Sequence, residues 1–333
     1  MLIYFNKLYF ICKQSVENNR FFLFLQRVKR LVNYKHMADI NLKGMGVALI
    51  TPFKEDESVD YEALSRLIDH LLQNGADYLV VLGTTAETPT LTEDEKKKIL
   101  DLVVTKVRHR IPIVLGLGGN CTRAVVEKLK TDNFDDIDAI LSVVPYYNKP
   151  SQEGIYQHYS AIARATKLPV ILYNVPGRTG VNMTAETTLR LAHEFKNIIA
   201  VKEASGNITQ MDDIIKNKPK DFNVISGDDG ITFPLITLGA IGVISVIGNA
   251  LPREFSKMVR LALAGDYENS RTIHHRFTEL FSLLFVDGNP AGVKSMLSMM
   301  GFVENKLRLP LVPTRIVTYE KIRHVLQELS IKC

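Results

Sequence analysis

Ile198-Ile199-Ala200-Val201-Lys202-Glu203-Ala204-Ser205-Gly206-Asn207 is an apolar run that ends in a lysine and closes on a Ser-Gly-Asn turn. A short apolar run with that boundary predicts a buried strand. Lys202 stands at its end with no obvious route to solvent. Burial away from water disfavours an ammonium and leaves a nucleophilic amine. A desolvated lysine at a strand end is what imine chemistry on a keto substrate requires. Two plainer readings stay open: the side chain reaches out of the strand end, or it pairs with Glu203.

Outward from this stretch the same pattern repeats. The predicted strands are Val47–Phe53, Tyr78–Thr84, Ile113–Leu117, Ala139–Val144, Val170–Asn174, Ile198–Lys202, Phe222–Ser226 and Val243–Ile247. Between them lie amphipathic stretches over 61–73, 92–108, 123–130, 152–166, 184–194, 208–216 and 231–238, and 253–263 follows the last strand. Eight strands, each followed by a helix, argue for a parallel sheet with crossovers. Eight units within about 220 residues fit a closed α/β (β/α)8 TIM barrel better than an open sheet. Thr51-Pro52-Phe53 also stands at the end of the first strand, where an open nucleotide-binding sheet carries glycines.

Helix starts carry their own signals. Thr92 with Glu95 makes a capping box, and Ser151 and Thr184 precede acids at two further starts. After Gly265 only helical patterns follow, at 266–285, 290–299 and 313–329. The expected division is a barrel over 44–264 and an all-helical C-terminal domain over 265–333.

The chain has 333 residues, of which 46% are hydrophobic and 23% charged, ordinary values for a globular enzyme. The net charge of +5 is misleading, because residues 1–36 hold seven basic side chains and one acid, and the remainder carries −1. The body therefore lacks the basic footprint of a nucleic-acid binder. Phe21-Phe22-Leu23-Phe24-Leu25 beside Arg27, Lys29 and Arg30 has the composition of an amphipathic membrane arm. It is too charged to span a bilayer, and we read residues 1–36 as an extension from an upstream start, with Met37 beginning the domain. No membrane association is expected of the body. Cys12, Cys121 and Cys333 lie far apart and match no disulfide framework or zinc spacing, which suits a reducing cytoplasm.

In a (β/α)8 barrel, reactive groups gather at the carboxyl ends of strands. Those ends are Gly83-Thr84-Thr85-Ala86-Glu87, Pro145-Tyr146-Tyr147-Asn148, Tyr173-Asn174-Val175-Pro176-Gly177-Arg178-Thr179-Gly180, Lys202 and Ser226-Gly227-Asp228-Asp229. Phenols and a hydroxyl can relay protons in a dry pocket. Amides and hydroxyls at Thr84-Thr85 can bind a carboxylate, and Arg178 can hold another bidentately. Taken singly, each has a dull alternative: Tyr146 and Tyr147 as contact residues, Thr84-Thr85 as a turn, Arg178 as a surface ion pair. Asp228-Asp229 lacks a third metal ligand, so helix capping is expected there. His274-His275-Arg276 is expected on a solvated helix face.

These motifs, together with Gly46-Val47-Ala48-Leu49-Ile50-Thr51-Pro52-Phe53, resemble the dihydrodipicolinate synthase family of pyruvate-dependent, imine-forming lyases, from about Gly44 to the C-terminus. The resemblance implies that Lys202 forms the imine with pyruvate and that Tyr173, Thr84 and Tyr147 relay protons. Tyr147 would reach a neighbouring subunit's site. Thr85, the backbone of Ile244 and Gly227 would border pyruvate, and Arg178 would orient the carboxylate of L-aspartate 4-semialdehyde. No metal or organic cofactor is implied, and a homotetramer, a dimer of dimers, is expected. Ala86 departs from the family's usual glycine and is tolerable only if its φ is negative or the turn has room. Lysine-inhibited members carry histidines where Glu93 and Lys96 stand and an acid where Ala124 stands. Asn120 and Tyr146 are the remnants of that site, so weak or absent inhibition is expected. N-acetylneuraminate lyase chemistry on the same barrel, and a non-catalytic pyruvate-binding barrel, are the competing readings.

Overall fold

The computed structural model describes residues 40–331; the readings of residues 1–36 lie outside the described residues. Eight parallel strands close into one barrel in sequence order. They are β1 Gly44–Ala48, β2 Tyr78–Val81, β3 Ile113–Gly116, β4 Ala139–Val143, β5 Val170–Asn174, β6 Ile198–Glu203, β7 Asn223–Ser226 and β8 Gly242–Ser245. A helix follows each: α1 Tyr61–Gln73, α2 Glu93–Val107, α3 Thr122–Thr131, α4 Gln152–Ala165, α5 Ala185–Glu194, α6 Ile208–Asn217, α7 Thr232–Leu238 and α8 Pro252–Leu263. Three helices complete the described chain, α9 Tyr267–Val286, α10 Ala291–Met299 and α11 Ile316–Glu328.

Local chemistry sets the helix starts. The Thr92 hydroxyl accepts the Glu95 amide while the Glu95 carboxylate accepts the Thr92 amide, the predicted capping box. Ser151 and Thr184 cap α4 and α5 through their side chains, as expected. The apolar faces of the outer helices then close over the strands, with Leu64, Leu67, Val103, Ile162 and Leu191 fully buried in one continuous core.

The first strand differs from its prediction. It spans Gly44–Ala48 rather than Val47–Phe53. The apolar run begins at Val47, but strand pairing needs small residues earlier. A side chain at Gly46 would lie 2.1 Å from the Tyr78 ring, which is fully buried. At the closing seam, Gly44 pairs with Gly242, and a Cβ on Gly242 would stand 1.9 Å from the Gly44 carbonyl oxygen. Beyond Ala48 the chain leaves the sheet. The Asn249 side chain accepts the Ile50 amide and donates to the Ala48 carbonyl, which ties β1 to the segment after β8.

Between β5 and β6 the register shifts. Val170 pairs with Ile198 and Ile171 with Ala200, so Ile199 is passed over. Pairing then continues to Tyr173 opposite Lys202 and Asn174 opposite Glu203.

The C-terminal helices pack onto the barrel's outer layer. The Ser270 hydroxyl on α9 donates to the Met258 carbonyl on α8, and Phe281 meets Phe255 edge-on at 5.7 Å. His274 is not on a solvated face. Its ring packs against Phe233 and Phe281, and burial depresses its protonation, whereas His275 and Arg276 are exposed. Among the described residues, no helix is long and apolar enough to cross a membrane.

Candidate active site

The carboxyl ends of β5 and β6 bring two predicted groups together. Lys202 is 6% exposed, and its Nζ lies 4.4 Å from the centre of the Tyr173 ring. It makes no ion pair among the described residues. Pairing with Glu203 does not occur, because successive strand residues face opposite sides of the sheet. The Glu203 carboxylate is caged instead by the Asn174 side chain, the Ser205 amide and the Gln210 side chain of α6. Burial pushes the Glu203 carboxyl up, and those donors hold it back toward the charged form. One strand thus turns its amine toward a phenol and its acid toward the helix layer.

Gly227, just past β7, backs onto the amine. A Cβ there would stand 3.1 Å from the Lys202 Cε and 2.7 Å from the Ala204 methyl. Ile244 is buried in β8, opposite Gly46 of β1. Asp229 does not cap a helix as expected. Its Oδ2 accepts the amides of Val246 and Ile247, two and three residues after Ile244, and burial pushes its carboxyl up to about 6. Asp228 does cap, accepting the Gly230 amide.

After β2, Thr84–Ala86 form a single tight helical turn. Ala86 is buried and is not among the left-handed residues, so the turn never needed glycine at that place. The left-handed residue is the next one, Glu87, at φ 54°. The Thr51 hydroxyl donates to the Ala86 carbonyl and ties the turn to the end of β1. The Thr85 hydroxyl accepts from the Asn289 side-chain amide at 2.9 Å. The Asn289 carbonyl in turn accepts a long 3.5 Å contact from the Arg178 guanidinium. Arg178 is exposed and has no carboxylate partner among the described residues, so it is not the surface ion pair considered above.

Asn289 was not singled out from the sequence. The only signal was the breaker cluster Asp287-Gly288-Asn289-Pro290 between two helical patterns, which marks a shaped loop. Its Oδ1 is buried without a protein partner, while its amide nitrogen and its carbonyl oxygen touch the threonine turn and the arginine.

Tyr147 stands apart from this group. It is 83% exposed, with a left-handed backbone at φ 76° and its amide directed at the Thr179 carbonyl. Tyr146 is also exposed, as is Asn120 in the loop after β3.

A buried primary amine at the carboxyl mouth of a closed parallel barrel, stacked on a phenol and flanked by a glycine, is built for covalent attack on a carbonyl. The chain belongs to the dihydrodipicolinate synthetase family, whose model matches residues 41–329. It is 86% identical over 297 residues to the 4-hydroxy-tetrahydrodipicolinate synthase of Parabacteroides distasonis, covering 89% of this chain and all of that protein. The crystal structure of dihydrodipicolinate synthase from Aquifex aeolicus superposes with a TM-score of 0.84 at 42% identity, over 87% of this chain and 99% of that one. The chloride-inhibited enzyme from Acinetobacter baumannii, complexed with pyruvate, superposes equally well at 0.84 and 39% identity, over 87% of this chain and all of that one.

Proposed function

We infer that this chain is a lyase that condenses pyruvate with L-aspartate 4-semialdehyde to give 4-hydroxy-tetrahydrodipicolinate, the first committed step toward diaminopimelate and lysine. The observation that carries this reading is the shielded Lys202 amine beside the Tyr173 ring, in a chain so similar to relatives of that name.

The residues then divide the work. The Lys202 amine attacks the pyruvate ketone, and loss of water leaves an imine. Removal of a methyl proton gives the enamine, with Tyr173, Thr84 and Tyr147 carrying protons to and from the site. The enamine carbon adds to the aldehyde. The amino group of the semialdehyde then attacks the imine carbon, closes the ring and frees Lys202. Thr85, the Ile244 backbone and the space left by Gly227 receive pyruvate, and Arg178 receives the second carboxylate. None of these steps calls for a metal or organic cofactor.

The same reading divides the chain into a barrel over 44–264 and a helical domain over 265–333, and places it in the cytoplasm as a homotetramer. The exposed ring of Tyr147, on strained backbone, supports a role in a neighbouring subunit.

A coupled assay with both substrates, run beside cleavage of sialic acid, tests the assignment. Turnover should occur with the semialdehyde and not with sialic acid. Arg178→Ala should raise KM for the semialdehyde by roughly tenfold or more, the loss expected when a charged hydrogen bond goes, and leave KM for pyruvate nearly unchanged. An arginine variant with parental kinetics would remove the case for this aldehyde.

Regulation by L-lysine is expected to be weak. Glu93 is already engaged by Lys96 at 2.8 Å and Lys128 at 3.1 Å, and those two ammonium groups hold its carboxyl below the usual range. With Ala124 supplying no acid, an incoming lysine ammonium meets like charge without a free counter-ion. Sub-millimolar L-lysine should leave the rate nearly unchanged, and strong inhibition at that level would contradict the account.

A further inference from the structure

Glu87 ends the turn that carries Thr84 and Thr85, and its side chain is wholly buried. It is directed at the C-terminal helices. Its Oε1 lies 2.5 Å from the Lys294 Nζ on α10, a side chain equally buried. Its Oε2 accepts the backbone amide of Arg308 at 3.1 Å. The hydrogen bond of Lys294 goes to the Lys306 carbonyl at 2.9 Å, and its Nζ stands 4.1 Å from the centre of the Phe53 ring. The Arg308 guanidinium lies on the same ring at 4.5 Å. Two residues before Glu87, the Thr85 hydroxyl accepts from Asn289, which precedes α10 by two residues. The threonine turn is therefore gripped twice by one short stretch of chain more than 200 residues away.

Stability is a weak reason for such a pair. Stripping water from a carboxylate and an ammonium costs several kcal/mol per ion, and well-packed apolar side chains of the same volume are often as good or better. The left-handed backbone at Glu87 costs on the order of 1 kcal/mol more. What an ion pair adds over apolar contact is direction. The Asn289 amide donates to the Thr85 oxygen, which leaves that hydroxyl's own proton free to donate elsewhere. Such an arrangement is useful only if the turn is held in one orientation.

We propose that Glu87 and Lys294 are a positioning pair that fixes the Thr84-Thr85 turn for the carboxylate of the first substrate, making helix α10 part of the machinery that captures a 2-oxo acid. The inference rests on the assignment of this turn to pyruvate. Neither residue touches the reacting atoms; each acts through the turn. Losing the pair lets the hydroxyl and the turn amides drift, and displacements of about 1 Å in such positions cost up to 100-fold. The loss falls chiefly on pyruvate, because Arg178 stands on a different loop and meets this stretch only through a long 3.5 Å contact to the Asn289 backbone carbonyl.

The test compares the parent enzyme with Glu87→Gln, with the double variant Glu87→Met/Lys294→Met, and with Thr85→Val as a reference. Three quantities are read: the pyruvate concentration that half-saturates borohydride trapping at Lys202, KM for each substrate, and the melting temperature. Glu87→Gln should raise half-saturating pyruvate about tenfold and leave KM for the semialdehyde within about twofold. The double variant removes both charges, so it should melt near the parent yet keep the raised pyruvate requirement. A double variant that binds pyruvate like the parent would show the pair to be structural only and overturn the proposal. So would a Glu87→Gln loss shared equally between the two substrates. Thr85→Val separates the two levels of inference. If it impairs pyruvate capture while the Glu87 variants do not, only the positioning pair falls; if it changes nothing, the assignment of the turn to pyruvate falls as well.

Discussion

Lys202→Ala should abolish turnover, by roughly three orders of magnitude or more, because removal of the proposed nucleophile leaves only binding and orientation to act. The same variant should give no mass increase when treated with pyruvate and borohydride, whereas the parent should gain one reduced pyruvate on the peptide containing Lys202. The fold should survive. Among the described residues the amine makes no ion pair and has Tyr173 as its ring contact. Truncation therefore leaves no charged partner stranded, which is the usual source of large losses at buried lysines. Lys202→Arg sharpens the result. A guanidinium keeps the positive charge and stays protonated, so it cannot condense with a ketone. If the amine's role were merely electrostatic, the arginine variant would retain activity. An adduct trapped on a different lysine, or turnover preserved in either variant, would end the imine account.

Gly242→Ala should be the most damaging small substitution in the body of the barrel. Gly242 has φ 148°, where L side chains rarely go, and its missing Cβ would lie 1.9 Å from the Gly44 carbonyl oxygen. That oxygen belongs to backbone in β1, so no flexible side chain can swing away. Backbone strain alone accounts for about 1–3 kcal/mol. Moving β1 from β8 adds the disturbed pairing of Met45 with Val243 and Gly46 with Ile244. A total near 4 kcal/mol places the change among the exceptional ones and lowers the melting temperature by on the order of 10 °C. Circular dichroism during heating reads this directly. A variant melting within about 2 °C of the parent would mean that the seam is looser than its geometry implies.

Much of the barrel was legible because periodicity is a local property. β5 and α1 begin and end where their patterns predicted, since each is an unbroken apolar or amphipathic run bounded by a proline, an aspartate or a turn. β1 was misplaced for a physical reason: its glycines carry no pattern, and their value appears only when Tyr78 and Gly242 arrive from elsewhere in the chain. The meeting of Lys202 with Tyr173 could be anticipated because strand ends converge in this architecture. Asn289 could not, since its bond to Thr85 spans 204 residues and leaves no trace in either neighbourhood. Asp229 was mistaken for a helix cap because a carboxylate ahead of a helix has that use locally; its true partners, the Val246 and Ile247 amides, belong to the next strand's exit.

Ile199, the residue passed over where β6 joins β5, decides which of two opposite chemistries occupies the lumen. It works as a spacer that sets the phase of everything after it. Were Ile199 taken into the ladder opposite Ile171 instead of being passed over, the remainder of the strand would slip by one residue and every side chain would turn to the other face. The carboxylate of Glu203 would then look into the cavity, and the amine would be walled in behind the helices among amides suited to an acid. The character of the pocket is thus governed by one unpaired residue upstream, so a change in how this strand pairs is a graver matter for its chemistry than most changes of side chain.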